Sequence, residues 1–246
     1  LKKPRIALVE YLNTLPFSEG IRMTGLESEA EVHRVIPSEC ARMFEGHETD
    51  ISLCPVGALD DMPPFKLFGQ YCIGAEGPVA TVVLLSQKPL DEIKYVRLDD
   101  HSRTSNILLQ LLADKWWKRD WVFTTADDAQ VPDAYLMIGD KVFLNQSRFK
   151  YRFDLAEAWQ ALTGMPMVFA VWIATPETDD RYASIIDRAF EAGMRAIQAG
   201  LVPVADWQMD YLTRNISYPL DEPKRKAMQL FREWSRSYAA VPSIKL

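Results

Sequence analysis

Histidine and cysteine are scarce in this 246-residue chain, with three of each. Cys40, Cys54 and Cys72 are odd in number and widely spaced, which excludes a disulfide framework and a paired-cysteine metal site. They read as reduced thiols acting as small buried hydrophobes. His33, His47 and His101 fall at no metal-ligand spacing, so neither a metal nor any other cofactor is expected. Basic residues are outnumbered, 28 Lys and Arg against 34 Asp and Glu, and form no dense run, which argues against a nucleic-acid partner. Long apolar runs are absent too. Val79–Leu85 and Met165–Ile173 fall short of the roughly 20 residues that span a bilayer, and no membrane segment is expected. No GxSxG, HExxH, P-loop or GxGxxG occurs, so the usual hydrolase, NTPase and dinucleotide chemistries have no support.

What is present is an alternating α/β pattern, with 48% apolar residues, enough for one large core or two modest ones. Arg5–Val9 reads as a strand running into the turn-prone Tyr11-Leu12-Asn13-Thr14-Leu15-Pro16 and a short helix. Glu31–Ile36 is a second strand, Pro37 opens a helix through Phe44, and Asp50–Leu53 is a third strand. Phe65–Ile73 and Pro78–Ser86 follow with no room for a helix between them, so the chain crosses between lobes at Gly74-Ala75-Glu76-Gly77-Pro78. The rhythm resumes with strands at Tyr95–Leu98, near Val122 and at Ala134–Ile138, and a helix from Ser102 to about Trp116 whose Ile107, Leu108, Leu111 and Leu112 share one face. A helix at Asp154–Leu162 and a strand at Met167–Ala174 complete this unit. The remainder reads as helices, with Ile185, Ala189, Phe190, Met194 and Ile197 inward on the first, and no further strand is expected. These elements imply a two-lobed, periplasmic-binding-protein-like (type II) α/β fold, each lobe a mostly parallel sheet flanked by helices. The expected lobes are 1–77 with 176–246, and 78–175, with a ligand cleft between them.

Ligands of open parallel sheets bind beyond the carboxyl ends of the strands. The residues there are Tyr11, Asn13 and Thr14; Pro55 and Val56; Gly77, Pro78, Val79 and Thr81; Ser102, Arg103, Thr104 and Ser105; and Gly139 and Asp140. The start of the helix at Ser102 is the best anion site, because hydroxyls and helix-terminal N–H groups converge at the positive end of the helix dipole. The plainer reading of Ser102 is an N-cap, and that of Arg103 an ion pair with Asp99 or Asp100. Asn13 offers a donor and an acceptor, or is simply a turn residue; Gly77-Pro78 is a site of close backbone approach, or an ordinary turn.

Tyr11-Leu12-Asn13-Thr14-Leu15-Pro16-Phe17, Ile36-Pro37-Ser38-Glu39, Gly77-Pro78-Val79 with Thr81, Ser102-Arg103-Thr104-Ser105, Ile138-Gly139-Asp140, and Asp154-Leu155 followed by Trp159 and Thr163-Gly164-Met165-Pro166 occur in order over residues 5 to 175. Together they resemble the chorismate dehydratase family of menaquinone biosynthesis, whose reaction opens the futalosine route. The Ser-Pro-Cys-Pro-Asn-like first loop of the sister enzyme that forms dihydroxynaphthoate is absent. Glu10, Glu76 and Lys141 depart from the family pattern.

The resemblance implies a lyase that removes water from chorismate, giving 3-(1-carboxyvinyloxy)benzoate, without cofactor or metal. It implies that Asn13, which matches the family's functional asparagine, orients the leaving hydroxyl or the enolpyruvyl group; beside it, Thr81 is expected to add a second hydrogen bond, and Ser102, Thr104 and Ser105 to receive a substrate carboxylate. The substrate and the unpaired cysteines point to the cytoplasm, and the chain is expected to be a monomer or homodimer. The start at Leu1 leaves open a trimmed end or a removed leader. A solute-binding protein capturing a small anionic carboxylate, or an enzyme of the same fold acting on a related cyclic carboxylate, is the alternative.

Overall fold

The computed structural model describes residues 3–238. In chain order, β1 (Arg5–Val9) leads through a 3-10 turn at Leu12–Thr14 into α1 (Leu15–Thr24), followed by β2 (Glu31–Val35), α2 (Pro37–Glu45), β3 (Ile51–Pro55), β4 (Lys66–Ala75) and β5 (Val82–Ser86). Then come β6 (Tyr95–Arg97), α3 (Arg103–Leu112), β7 (Val122–Thr124), β8 (Ala134–Ile138), α4 (Lys141–Asn145), β9 (Tyr151–Asp154), α5 (Leu155–Thr163) and β10 (Met167–Ala174). The chain closes with α6 (Arg181–Gln198), α7 (Asp206–Asp210), β11 (Ser217–Pro219) and α8 (Glu222–Ser235).

These elements form two compact units, one built from the residues up to Gly74 with Val168–Asp221, the other from Ala75–Met167 with the chain from Glu222 onward. In the first, a six-stranded sheet has the order β11-β4-β10-β3-β1-β2. Helices α1 and α2 supply the crossovers that parallel neighbours require, so β1 pairs parallel with both β2 and β3, whereas β10 runs antiparallel to β3. Ile6, Leu8, Phe17, Phe44, Leu53 and Trp172 are wholly buried or nearly so in this unit. Helices α1 and α6 meet backbone to backbone: a Cβ at Gly20 would lie 1.6 Å from the Ala189 carbonyl oxygen, and one at Gly193 would lie 1.9 Å from that of Pro16. Only glycine permits that approach, which fixes α1 and therefore the turn that precedes it.

In the second unit, the sheet order is β7-β6-β8-β5-β9. Strand β6 is parallel to β7 and β8, while β5 is antiparallel to β8 and β9. Both sheets are therefore mixed rather than mostly parallel, because β10 and β5 each run antiparallel to the strands they join. Val83, Leu85, Val96, Leu108, Leu112 and Trp159 are buried here.

Two strands escape the sequence pattern. The edge strands β9 and β11 have four and three residues, too few to show an alternation, and β11 ends in a proline of the kind that sheet edges tolerate. The expected assignment of all of 176–246 to the first lobe also changes. Helix α8 belongs with the second unit, where Trp159 meets Phe231 and Trp234 edge-on at centroid separations of 5.9 and 5.8 Å. Among the described residues no helix is long and apolar enough to cross a membrane.

Candidate functional site

In the first unit, the carboxyl end of β1 carries Tyr11, Asn13 and Thr14. Thr14 is buried, and its hydroxyl works inside the turn: it lies 2.8 Å from the Tyr11 carbonyl and accepts from the Tyr11 N–H at 3.3 Å. The Asn13 carbonyl accepts from the Tyr218 hydroxyl at 3.0 Å, which ties the turn to β11. Burial, and secondarily the neighbouring Tyr211, push the Tyr218 phenol well above its ordinary range, so it stays a neutral donor. The Asn13 side-chain oxygen is buried and has no hydrogen-bond partner. Buried polar atoms are almost always satisfied, so this acceptor, just beyond the carboxyl end of β1, has capacity for one more donor. Pro55 closes β3, pairing with Ala170, and is buried with Val56.

The remaining candidates lie in the second unit. Gly77 is buried with φ +109, Pro78 is exposed, Val79 is buried, and Ala80 is held at φ 68. Thr81 is 1% exposed, and its carbonyl accepts from the Gly139 N–H at 2.9 Å, which brings the crossing segment and the end of β8 together. Gly139 is buried and Asp140 exposed at the start of α4.

Ser102 is the N-cap of α3. Its Oγ accepts from the Ser105 N–H at 3.1 Å and donates to Ser105 Oγ at 2.7 Å. The plainer reading of Ser102 therefore holds, and the hydroxyl pair places Ser105 Oγ in the same cluster at the helix start. Thr104 and Ser105 are buried and Arg103 half-buried.

Asp99 organises this end of the sheet. Its Oδ1 accepts from the His101 N–H at 2.9 Å, its Oδ2 accepts from the Ile138 N–H at 3.3 Å and pairs with Lys141 Nζ. Asn106 clasps the Asp99 backbone from α3, accepting at 3.0 Å and donating at 2.8 Å. Lys141 thus answers a buried carboxylate, and Glu76 likewise pairs at 2.7 Å with Lys224, whose side chain is fully buried. Of the three departures from the family pattern, Glu76 and Lys141 are thus parts of ion pairs within this unit.

Asp154 is a residue whose reach the sequence does not reveal. Beyond capping α5 through the N–H groups of Ala156 and Glu157, it accepts from those of Val79 and Ala80. Burial raises its pKa, against the lowering by those backbone donors and by Arg152. An acidic residue directly before an apolar helix signals the cap, but nothing local signals the second pair of contacts. The thiols offer no nucleophile in evidence: all three cysteines are buried, and burial pushes Cys40 up to about 12. Among the described residues no group of three or more His, Cys, Asp or Glu is placed to hold a metal ion.

A family model described as menaquinone biosynthesis matches residues 4–237. Among solved structures, a protein from Archaeoglobus fulgidus shares 14% identity with a TM-score of 0.70, over 96% of this chain and 97% of its own. The periplasmic aliphatic sulphonate binding protein of Escherichia coli shares 15% identity with a TM-score of 0.58, over 99% and 96% of the two chains. A Candida albicans protein described as having the generic periplasmic binding protein fold shares 12% with a TM-score of 0.57, over 96% and 81%. At such identities the likeness shows the fold, which is the periplasmic-binding-protein type.

Proposed function

The chain belongs to the menaquinone biosynthesis family, and from that premise we propose that it is a chorismate dehydratase, a hydro-lyase that yields 3-(1-carboxyvinyloxy)benzoate and water. The observation that carries the reading is the buried, unpartnered amide oxygen of Asn13 just beyond the carboxyl end of β1, within one of the segments that resemble that family.

In the reaction, the C–H bond at the ring carbon bearing the enolpyruvyl ether breaks and releases a proton. Its electron pair forms the new ring double bond, and the neighbouring C–O bond breaks to release hydroxide. The proton and hydroxide together make the water lost. Aromatisation supplies the driving force, so the protein has to hold a dianion in its reactive conformer and ease two small departures.

Asn13 orients the departing ring hydroxyl, from which its Oδ1 accepts, or the enolpyruvyl group, to which its amide N–H donates. Thr81 supplies a second hydrogen bond from the segment preceding β5. The helix start at Ser102, with Thr104 and Ser105, receives a carboxylate, where the α3 dipole and the hydroxyl cluster favour negative charge. The base is a carboxylate of the substrate or a water. This division of labour needs no cofactor.

Capture without chemistry is the second reading, favoured by the fold shared with an aliphatic sulphonate binding protein. Incubating the purified, chelator-treated protein with chorismate separates the two. A dehydratase gives a protein-dependent product lighter by one water, with a growing aromatic absorbance. A binder gives saturable heat on titration, with chorismate recovered intact.

A further inference from the structure

The segment leading into β5 holds Ala80 at φ 68, in the left-handed region that residues bearing a Cβ disfavour. Such a conformation persists only where its surroundings enforce it. Here both peptide groups of the residue are gripped. Asp154 Oδ2 accepts from the Ala80 N–H at 2.8 Å, and Arg152 Nη2 donates to the Ala80 carbonyl at 3.1 Å. Asp154 Oδ1 takes the preceding Val79 N–H at 3.1 Å, and Arg152 reaches back to Asp154 Oδ2 at 3.4 Å. Both gripping residues stand on β9, whose pairing with β5 sets Asp154 opposite Val83. The residue directly after the enforced conformation is Thr81, which hands its carbonyl to Gly139 at 2.9 Å.

We propose that Asp154, assisted by Arg152, is a positioning residue that locks Ala80 in its left-handed conformation and so aims Thr81 at the substrate. This rests on the dehydratase reading for what Thr81 does, and on the hydrogen bonds alone for the lock. Asp154 divides its work between two oxygens. Oδ1 caps α5 through the Ala156 and Glu157 N–H groups at 3.0 and 3.3 Å, while Oδ2 carries the Ala80 contact. Asparagine caps a helix about as well as aspartate, so Asp154→Asn keeps the first task. Its amide nitrogen, in place of Oδ2, would point a donor at the Ala80 donor and release the lock.

The test combines Asp154→Asn with Ala80→Gly, since glycine adopts positive φ unaided. The single Asp154→Asn variant is expected to lose about 10- to 100-fold in kcat with KM changed by less than about threefold. Hydrogen exchange of the Ala80 amide should quicken without substrate, and the double variant should recover most of the lost kcat. A role confined to capping α5 would not be rescued from residue 80. Unchanged exchange at Ala80, or a kcat loss that Ala80→Gly leaves in place, would overturn the proposal. Should Asp154→Asn not fold, Arg152→Gln releases the Ala80 carbonyl without touching the cap, and the same two readouts decide. If the wild-type protein leaves chorismate unchanged, the dehydratase reading fails, and the exchange data still decide whether the lock exists.

Discussion

Replacing Asn13 with leucine should make the protein more stable and nearly inactive. The amide oxygen is buried without a partner, and an unsatisfied buried acceptor costs about 1–3 kcal/mol. Leucine keeps the branched outline of asparagine, with bulkier methyl groups in place of the amide atoms, and removes the acceptor without opening a cavity, as alanine would. The backbone carbonyl of residue 13 still accepts from Tyr218, so the turn keeps its anchor. A gain of about 1 kcal/mol corresponds to a melting temperature roughly 2–4 °C higher for a chain of this size. Turnover of chorismate should meanwhile fall by about 10- to 100-fold, the value of a hydrogen bond made in the transition state. Calorimetric unfolding without substrate and steady-state kinetics read the two effects on the same preparation. A variant that loses stability and keeps its turnover would refute the reasoning, because Asn13 would then serve the fold alone.

Gly20→Ala should destabilise the first unit by about 3 kcal/mol despite the better helix propensity of alanine, because the added carbon meets backbone rather than a yielding side chain; a urea midpoint at or above wild type would contradict this. Ser102→Ala with Thr104→Ala should weaken chorismate binding about tenfold by titration calorimetry, beyond the roughly 1 kcal/mol of stability lost with the cap. Unchanged affinity would remove the start of α3 from the carboxylate site. Asp133 is partly desolvated, which raises its pKa, but Lys88 and the N–H groups of Tyr95 and Lys94 outweigh that and hold it below the ordinary aspartate value. Its stabilising effect is therefore present above the ordinary value and lost as pH falls through the lowered one. Asp133→Asn should accordingly cost about 1–3 kcal/mol at neutral pH, with the deficit shrinking in acid when urea midpoints are compared.

The strands at Arg5–Val9, Ala134–Ile138 and Met167–Ala174 are legible to the residue, because each is a continuous apolar run closed by turn-forming neighbours. The strands at Tyr151–Asp154 and Ser217–Pro219 are not, since short edge strands owe their conformation to a partner far away in the chain. The same division runs through the site. The cap at Ser102 is local and can be read from spacing, whereas the Asp154 grip joins residues 74 and 75 positions apart. Lys224 lies on the charge-rich helix α8, yet its side chain is fully buried against Glu76. Hydrophobic pattern encodes which face turns inward; it does not encode which charge an inward turn will meet.

The most direct test of the central claim uses chorismate carrying deuterium at the ring carbon that bears the enolpyruvyl ether. The account predicts an aromatic product lighter by one water, free of the label, with the deuterium recovered in solvent. A product that retains the deuterium, or substrate bound and returned intact, would contradict it.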